Sequence, residues 1–130
     1  MNNPNQSRDI PMKLNDYQQQ ATVFARYAFP DYPFVGLQEE VGEVAGKLAK
    51  YQRKFGVTME EAVGFAAEPQ DSDDQDLRDA LKKELGDVLW QVAAAANELG
   101  LTLEDVATGN LDKLNGRAER DTLVGEGDDR

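Results

Sequence analysis

Residues 36–55 read GLQEEVGEVAGKLAKYQRKF, and their pattern is the strongest structural signal in the chain. Their apolar side chains recur every three or four positions, at Leu37, Val41, Val44, Leu48, Tyr51 and Phe55. This period predicts an amphipathic α-helix that buries one narrow stripe. At about 100° per residue, Glu40 lies about 60° from the centre of the stripe and Glu43 about 120° from it, on the same side. Two carboxylates one turn apart therefore border the predicted buried face.

A second stretch, Leu77–Leu99, repeats this arrangement. Its apolar set is Leu77, Leu81, Leu85, Val88, Val92, Ala95 and Leu99. Glu84 lies about 55° from that stripe and Asp87 about 115° from it, again on one side. If the two helices pack antiparallel, four carboxylates converge, and they would repel each other unless a cation neutralised them. Hard oxygen ligands of this kind suit Mg²⁺ or Mn²⁺.

The plain alternative is that both acidic pairs are solvated helix faces, which is the common use of acidic residues three positions apart. Glu84 fits that alternative least well, because it lies close to a seam of Leu and Val side chains. Carboxylates are seldom buried without a partner. From the residues alone, both interpretations stay open.

The acidic residues also resemble a known signature. Glu39-Glu40-x-x-Glu43 followed by Glu84-x-x-Asp87 is similar to the EExxE…ExxD pattern of the MazG-like all-α nucleoside triphosphate pyrophosphohydrolases. The resemblance runs from about Leu14 to the C-terminus and includes ELGDVLW and the tail NLDKLNGRAERDTLVGEGDDR. It departs from many members in the longer stretch between the two motifs, residues 56–76. It implies an all-α fold, a four-helix bundle whose core is completed by assembly into a homodimer or a dimer of dimers.

This resemblance implies hydrolysis of a nucleoside triphosphate to the monophosphate and pyrophosphate. The residues that would hold one or more Mg²⁺ ions, with Mn²⁺ as the alternative, are Glu40, Glu43, Glu84 and Asp87. Glu39 lies about 160° from the stripe of its helix, so its geometry is poor for a metal ligand. It stays a candidate for orienting a water molecule, for acting as the base, or for simply facing solvent.

Two further sets of residues are candidates for substrate contact. In the resemblance, the residues matching Asn110, Lys113 and Arg117 contact the phosphates or the sugar, although by spacing alone they form an ordinary solvated flank. The C-terminal half of the Gly36–Phe55 helix carries Lys47, Lys50, Arg53 and Lys54. Of these, Lys54 is the candidate for phosphate contact, while favourable interaction with the helix dipole explains such cations equally well.

Aromatic residues near the acidic motifs have two interpretations. The turn Phe29–Pro33 is either a hydrophobic turn or one wall of a nucleobase site, since aromatic rings stack on bases. Trp90 lies off the apolar stripe of its helix, which most plainly indicates a subunit interface and, as the alternative, base stacking.

The composition limits the chemistry. The chain has 130 residues and 40% hydrophobic content, so one domain with an adequate core is expected. A net charge of −11 disfavours non-specific binding to nucleic acid or to an anionic membrane. The chain has no Cys and no His, so acid–base chemistry must come from carboxylates, Lys, Tyr or metal-bound water.

The chain order suggests a domain over residues 13–120, between a loose arm over residues 1–12 and a tail over residues 121–130. The arm has no signal-peptide core and no apolar run is long enough to cross a bilayer, so a cytoplasmic protein is expected. The first predicted helix begins at Asn15, which has capping-box spacing with Gln18, and reaches about Ala28. The others begin at Gly36, at Met59 after a Thr58 capping box, at Asp76, and after Thr102. Residues 68–76 are predicted to form an exposed loop.

Rival functions remain. Related all-α enzymes act on dUTP, dCTP or phosphoribosyl-ATP, and one active site serves house-cleaning of nucleotides and control of a dNTP pool equally well. A non-catalytic α-helical interaction module would use the carboxylates only as a solvated rim. A DNA mimic has little support, because apolar stripes interrupt the acidic surface.

Overall fold

A computed structural model describes residues 11–120, and the arm up to residue 10 and the tail over residues 121–130 lie outside the described residues. Helices are the only regular elements between residues 11 and 120, which confirms the all-α prediction. Their bounds are α1 Leu14–Thr22, α2 Tyr32–Phe55, α3 Met59–Ala67, α4 Ser72–Glu98 and α5 Leu103–Glu119. None of these five helices is long and apolar enough to cross a membrane.

The two long helices α2 and α4 form an antiparallel pair at the centre of the bundle. Gly36 at one end of the pair faces Gln91, and Tyr51 at the other end is bonded to Asp74. The predicted start of α2 was four residues too late, because Pro33 lies in its first turn, where a missing N–H costs nothing. The predicted end is confirmed, since Gly56 closes the helix with a φ of 63°.

The prediction for α1 was wrong at both ends. The helix begins one residue earlier, and the Lys13 backbone N–H donates to Asp16 Oδ2 at 3.3 Å instead of a cap forming between Asn15 and Gln18. It stops at Thr22, whose hydroxyl donates back to the Gln18 carbonyl at 2.8 Å. Such local bonds compete with helix continuation. Phe24 and Ala28 therefore lie outside the helix.

The side chains expected to cap α1 serve α5 instead. The first three backbone N–H groups of α5, those of Leu103, Glu104 and Asp105, donate to Gln18 Oε1 at 2.9 Å, Asn15 Oδ1 at 3.1 Å and Thr102 Oγ1 at 3.0 Å. Gln18 Nε2 also donates to Asn97 Oδ1 at 2.9 Å and to the Leu101 carbonyl at 3.0 Å. The first backbone N–H groups of α5 have no partner inside that helix, so the side chains of α1 complete its start.

Half of the predicted loop over residues 68–76 is helical, which corrects the prediction. Asp71 caps α4 by accepting the Asp74 N–H at 2.9 Å, and the acidic residues that follow form the first helical turn. Carboxylates are favoured there by the helix dipole, so the acidity that suggested a loop marks a helix start. Asp74 is also buried, and it accepts the Tyr51 hydroxyl at 2.6 Å and the Gln70 N–H at 3.0 Å.

The hydrophobic core is small and rich in alanine. One cluster joins α2, α3 and α4 through Tyr51, Ala62, Ala66 and Leu77, and a second joins α4 to α5 through Ala93, Ala96 and Leu103. The long stretch between the two acidic motifs thus folds into the bundle. Part of the two apolar stripes is not covered within the single chain, because Val41 is 54% and Leu85 57% exposed. The helices between residues 11 and 120 leave one side of the central pair partly uncovered.

The Tyr51–Asp74 pair should make stability depend on pH. Hydrogen bonds from Tyr51 and from the Gln70 backbone lower the pKa of Asp74 below its usual 3.8. Its contribution is therefore fully present above the pKa of the unfolded chain and is lost as the pH falls through the lower folded pKa. Between pH 5 and pH 3 we expect the melting temperature of the wild type to fall more steeply than that of Asp74→Asn. Asp76→Asn, an exposed neighbour on α4, should follow the wild type, and equal slopes for all three would contradict the assignment.

Candidate active site

Three of the predicted carboxylates meet between the central helices. Glu40 on α2 and Glu84 and Asp87 on α4 each offer an oxygen within 4.8 Å of the others. We call these three residues the acidic trio. Glu40 and Glu84 are half-buried and Asp87 is exposed, so the group is open to solvent on one side. The antiparallel pairing of α2 and α4 brings about this convergence, because it sets the acidic edge of one helix against that of the other.

The acidic trio is electrostatically uncompensated. Burial raises the pKa of Glu40, and repulsion from Asp87 and from the other nearby carboxylates raises it further. Of the cations in the described part of the chain, Lys47 forms an ion pair with the trio, its Nζ lying 3.7 Å from Glu84 Oε1. A single half-exposed lysine cannot balance three carboxylates. The oxygen donors and the excess negative charge fit a hard divalent cation such as Mg²⁺ or Mn²⁺.

Glu39 and Glu43 lie on the exposed side of α2, outside the trio. The helical angles predicted this order, with Glu40 nearest to the packed face. The charges of both residues still raise the pKa of Glu40, so they belong to the same electrostatic environment. Their roles as water-orienting group and metal ligand stay predictions.

An aromatic cleft of about 390 Å³ opens beside the trio. It is lined by Phe24, Tyr32, Trp90 and Gln91 together with Glu40 and Asp87. Its volume falls within the range of roughly 300–1,000 Å³ that is usual for small-molecule sites. The walls are braced, because Tyr27 stacks on Tyr32 with ring centroids 5.0 Å apart, and Trp90 Nε1 donates to the Ala21 carbonyl at 3.0 Å. Trp90 thus has a defined position within the single chain.

A basic groove of about 240 Å³ lies farther along α2. Its lining includes Lys47, Lys50 and Lys54, and Lys54 Nζ is 3.1 Å from Asp73 Oδ1. Lys54, predicted from sequence as a phosphate contact, therefore has an acidic partner at the surface. Lys47 lies between this groove and the acidic trio.

The three candidates on α5 do not form one solvated flank. Asn110 and Lys113 are exposed, whereas Arg117 is 6% exposed and counts as buried. Arg117 faces the bundle because α5 packs on both α1 and α4. The clefts that border the acidic trio are lined by residues of α2, α4 and the connection that follows α1. Contact of the α5 residues with a substrate stays a prediction.

Three residues beside the trio were not singled out as site residues. Lys47 was considered only as one of the four cations of its helix and not as a neighbour of the trio, although its position four residues after Glu43 was a usable signal. Gln91 follows Asp87 by one turn and so lies on the same side of α4. No sequence signal marked Phe24 as a site residue, because residue 24 was predicted to lie within the first helix.

Comparisons with known proteins agree with this geometry. The MazG nucleotide pyrophosphohydrolase domain matches residues 34–121, which include every member of the acidic trio. The Gene 37 protein of Mycobacterium phage L5 is 40% identical over 100 residues, covering 76% of this chain and 75% of the phage protein. No solved structure matches the chain. The resemblance found from the acidic motifs is thereby confirmed, and the chain belongs to the MazG nucleotide pyrophosphohydrolase family.

Proposed function

We propose that this protein hydrolyses a nucleoside or deoxynucleoside triphosphate to the monophosphate and pyrophosphate, with a divalent cation. The observation that carries the proposal is the convergence of Glu40, Glu84 and Asp87 within 4.8 Å beside an aromatic cleft. Membership of the pyrophosphohydrolase family supports the reaction class. The carboxylate oxygens suit the charged end of a ligand through a bound cation, and the aromatic cleft suits a planar end.

The acidic trio would hold Mg²⁺, or Mn²⁺ in its place, and Glu43 is proposed as a further ligand one turn along α2. When bound, such an ion screens the charge of the triphosphate and lowers the pKa of a coordinated water. Glu40 contributes from a half-buried position, where its charge is costly unless a cation is near. Glu39 is proposed to orient the attacking water from the exposed side.

The cations along α2 and α5 are proposed to bind the phosphates. Lys47 is the best placed, since its ammonium group already lies 3.7 Å from a trio oxygen. Lys54 would bind phosphate farther along the basic groove, once its ion pair with Asp73 is broken. Asn110, Lys113 and Arg117 are retained as phosphate or sugar contacts on the strength of the family resemblance.

The aromatic cleft is proposed to take the base. Phe24, Tyr32 and Trp90 offer apolar faces, and faces of this kind accept any base by stacking. A narrow substrate such as dUTP, dCTP or phosphoribosyl-ATP is the nearest rival within the same chemistry. House-cleaning of nucleotides and control of the dNTP pool both fit the proposed reaction.

A substrate panel tests the proposed function. The purified full chain is incubated with canonical and modified NTPs and dNTPs in Mg²⁺ or in EDTA, and the products are separated by chromatography. We expect monophosphate and pyrophosphate in Mg²⁺ only. A folded protein that neither binds Mg²⁺ nor turns over any nucleotide would favour the rival of a non-catalytic interaction module.

Assembly into a homodimer or a dimer of dimers is proposed to cover the exposed side of the central helix pair. Val35, Val41 and Leu85 are each more than half exposed there. Burying such side chains in a symmetric interface is the usual solution. We expect light scattering after gel filtration to give at least twice the chain mass of 14.4 kDa, and Leu85→Glu to shift it towards the monomer. A wild type that is monomeric at tens of micromolar would refute this assembly.

A further inference from the structure

We infer that Gln91 reads the hydrogen-bonding edge of the base, and that it selects bases whose edge presents an N–H donor beside an acceptor. The inference rests on the proposed function only in taking a nucleotide as the ligand of the aromatic cleft. Neither the reaction nor the metal enters the argument. Gln91 is thus assigned as a specificity-determining residue next to the acidic trio.

The first observation is an unsatisfied buried atom. Gln91 is 4% exposed and lines the aromatic cleft one turn after Asp87. Its Oε1 is buried, and within residues 11–120 it has no hydrogen-bond partner. A buried acceptor without a donor costs free energy, and at this position an apolar side chain would avoid the cost. A ligand that supplies an N–H group in the cleft would remove it.

The second observation is that the Gln91 amide packs against the backbone of α2 at Gly36. A Cβ atom added at Gly36 would lie 2.5 Å from Gln91 Nε2, 2.8 Å from Cδ and 3.0 Å from Oε1. The amide therefore occupies the space that a side chain at position 36 would fill, and the glycine leaves room for it. Close packing beside Gly36 and burial to 4% exposure limit the freedom of the side chain. The group is held in place before a ligand arrives, as a recognition group should be.

The chemistry of a carboxamide determines what it can read. Its oxygen accepts and its NH₂ group donates, side by side. Adenine, cytosine, guanine and uracil each present an N–H donor next to an acceptor on their pairing edge. Gln91 therefore does not choose one base. It favours any base with an open edge and disfavours a base whose N–H is replaced by N–CH₃.

Trp90 provides the measurement, because it is the only tryptophan of the chain and it lines the same cleft. The wild type is titrated with dUMP and with N3-methyl-dUMP in Mg²⁺, and quenching of Trp90 fluorescence is followed. We expect dUMP to bind at least tenfold more tightly than its methylated form. Gln91→Leu should bind both with the same, weaker affinity. Gln75→Leu, the same change at an exposed position of α4, should behave as the wild type.

A second variant keeps the test decisive if Gln91→Leu does not fold. Gly36→Ala retains the amide but pushes it from its place, so the tenfold preference should shrink. If Gln91→Leu loses the preference for dUMP while its melting temperature is unchanged or raised, Gln91 acts in recognition and not in packing.

Equal affinity of the wild type for the two nucleotides would overturn the inference, and so would the absence of quenching with either. Either result accompanied by turnover in the substrate panel would leave the proposed function standing. Selective quenching without turnover would support the role of Gln91 and count against the proposed reaction.

Discussion

Glu84→Gln is expected to lower kcat for Mg²⁺-dependent triphosphate hydrolysis by on the order of 10³-fold while the helical fold persists. The variant removes one of the three negative oxygen donors that meet within 4.8 Å. It also deprives Lys47 of its acidic partner. The shape of the side chain is kept, so packing between α2 and α4 should change little. Steady-state kinetics and circular dichroism measure the two parts of this prediction.

A matched control separates the trio from acidity in general. Glu60→Gln makes the same change on the exposed side of α3 and should retain wild-type turnover. Adding Mg²⁺ should raise the melting temperature of the wild type and of this control, because an ion that binds only the folded state stabilises it. Glu84→Gln should lose most of that increase. Unchanged turnover in Glu84→Gln would refute the proposed site.

Gln18→Leu is expected to destabilise the fold by about 2–4 kcal/mol. The amide is buried and bonds to two other helices, accepting the Leu103 N–H of α5 at 2.9 Å and donating to Asn97 Oδ1 of α4 at 2.9 Å. Leucine fills a similar volume but leaves these groups without their partner. Urea unfolding followed by circular dichroism gives the difference directly.

The neighbouring position supplies the control for this prediction. Gln19→Leu makes the same change at an exposed place on α1 and should alter stability by less than about 0.5 kcal/mol. If both variants lost the same stability, the Gln18 bonds would not be what fastens α1 to the bundle. Since Trp90 donates to the Ala21 carbonyl of α1, a loosened α1 should also alter the fluorescence of Trp90.

The central helices could be predicted because their signals are long and periodic. Spacing alone placed Glu40 nearer to the packed face than Glu43, and the structure has Glu40 half-buried and Glu43 exposed. The C-terminal end of α2 and the start of α3 could also be predicted, because Gly56 and the Thr58 capping box are local signals. Helix identity and the angular order of side chains follow from the backbone period, so they need no tertiary information.

Other features depend on contacts that no local pattern records. Asn15 and Gln18 have the spacing of a cap, yet the structure uses them to complete the start of α5, far away in sequence. Asp74 looked like a loop residue because its burial depends on Tyr51 of another helix. The same holds for Gln91, whose position against Gly36 arises only when α2 and α4 pack together.

The exposed part of the apolar stripes has a different cause. Periodicity reports that a face is apolar, but not whether it is covered within one chain or by another chain. Val41 and Leu85 satisfy the pattern and remain exposed in the single chain. The sequence therefore identifies which residues form the stripes, and burial of the exposed ones by a second chain stays a prediction.

The central claim is that the acidic trio supports attack of water on the α-phosphorus of a nucleoside triphosphate. It is tested most directly by turning over a dNTP with the wild type and Mg²⁺ in ¹⁸O-labelled water and weighing both products by mass spectrometry. We predict one ¹⁸O atom in the monophosphate and none in the pyrophosphate. Label in the pyrophosphate, release of diphosphate with orthophosphate, or the absence of any product in Mg²⁺ would contradict the claim.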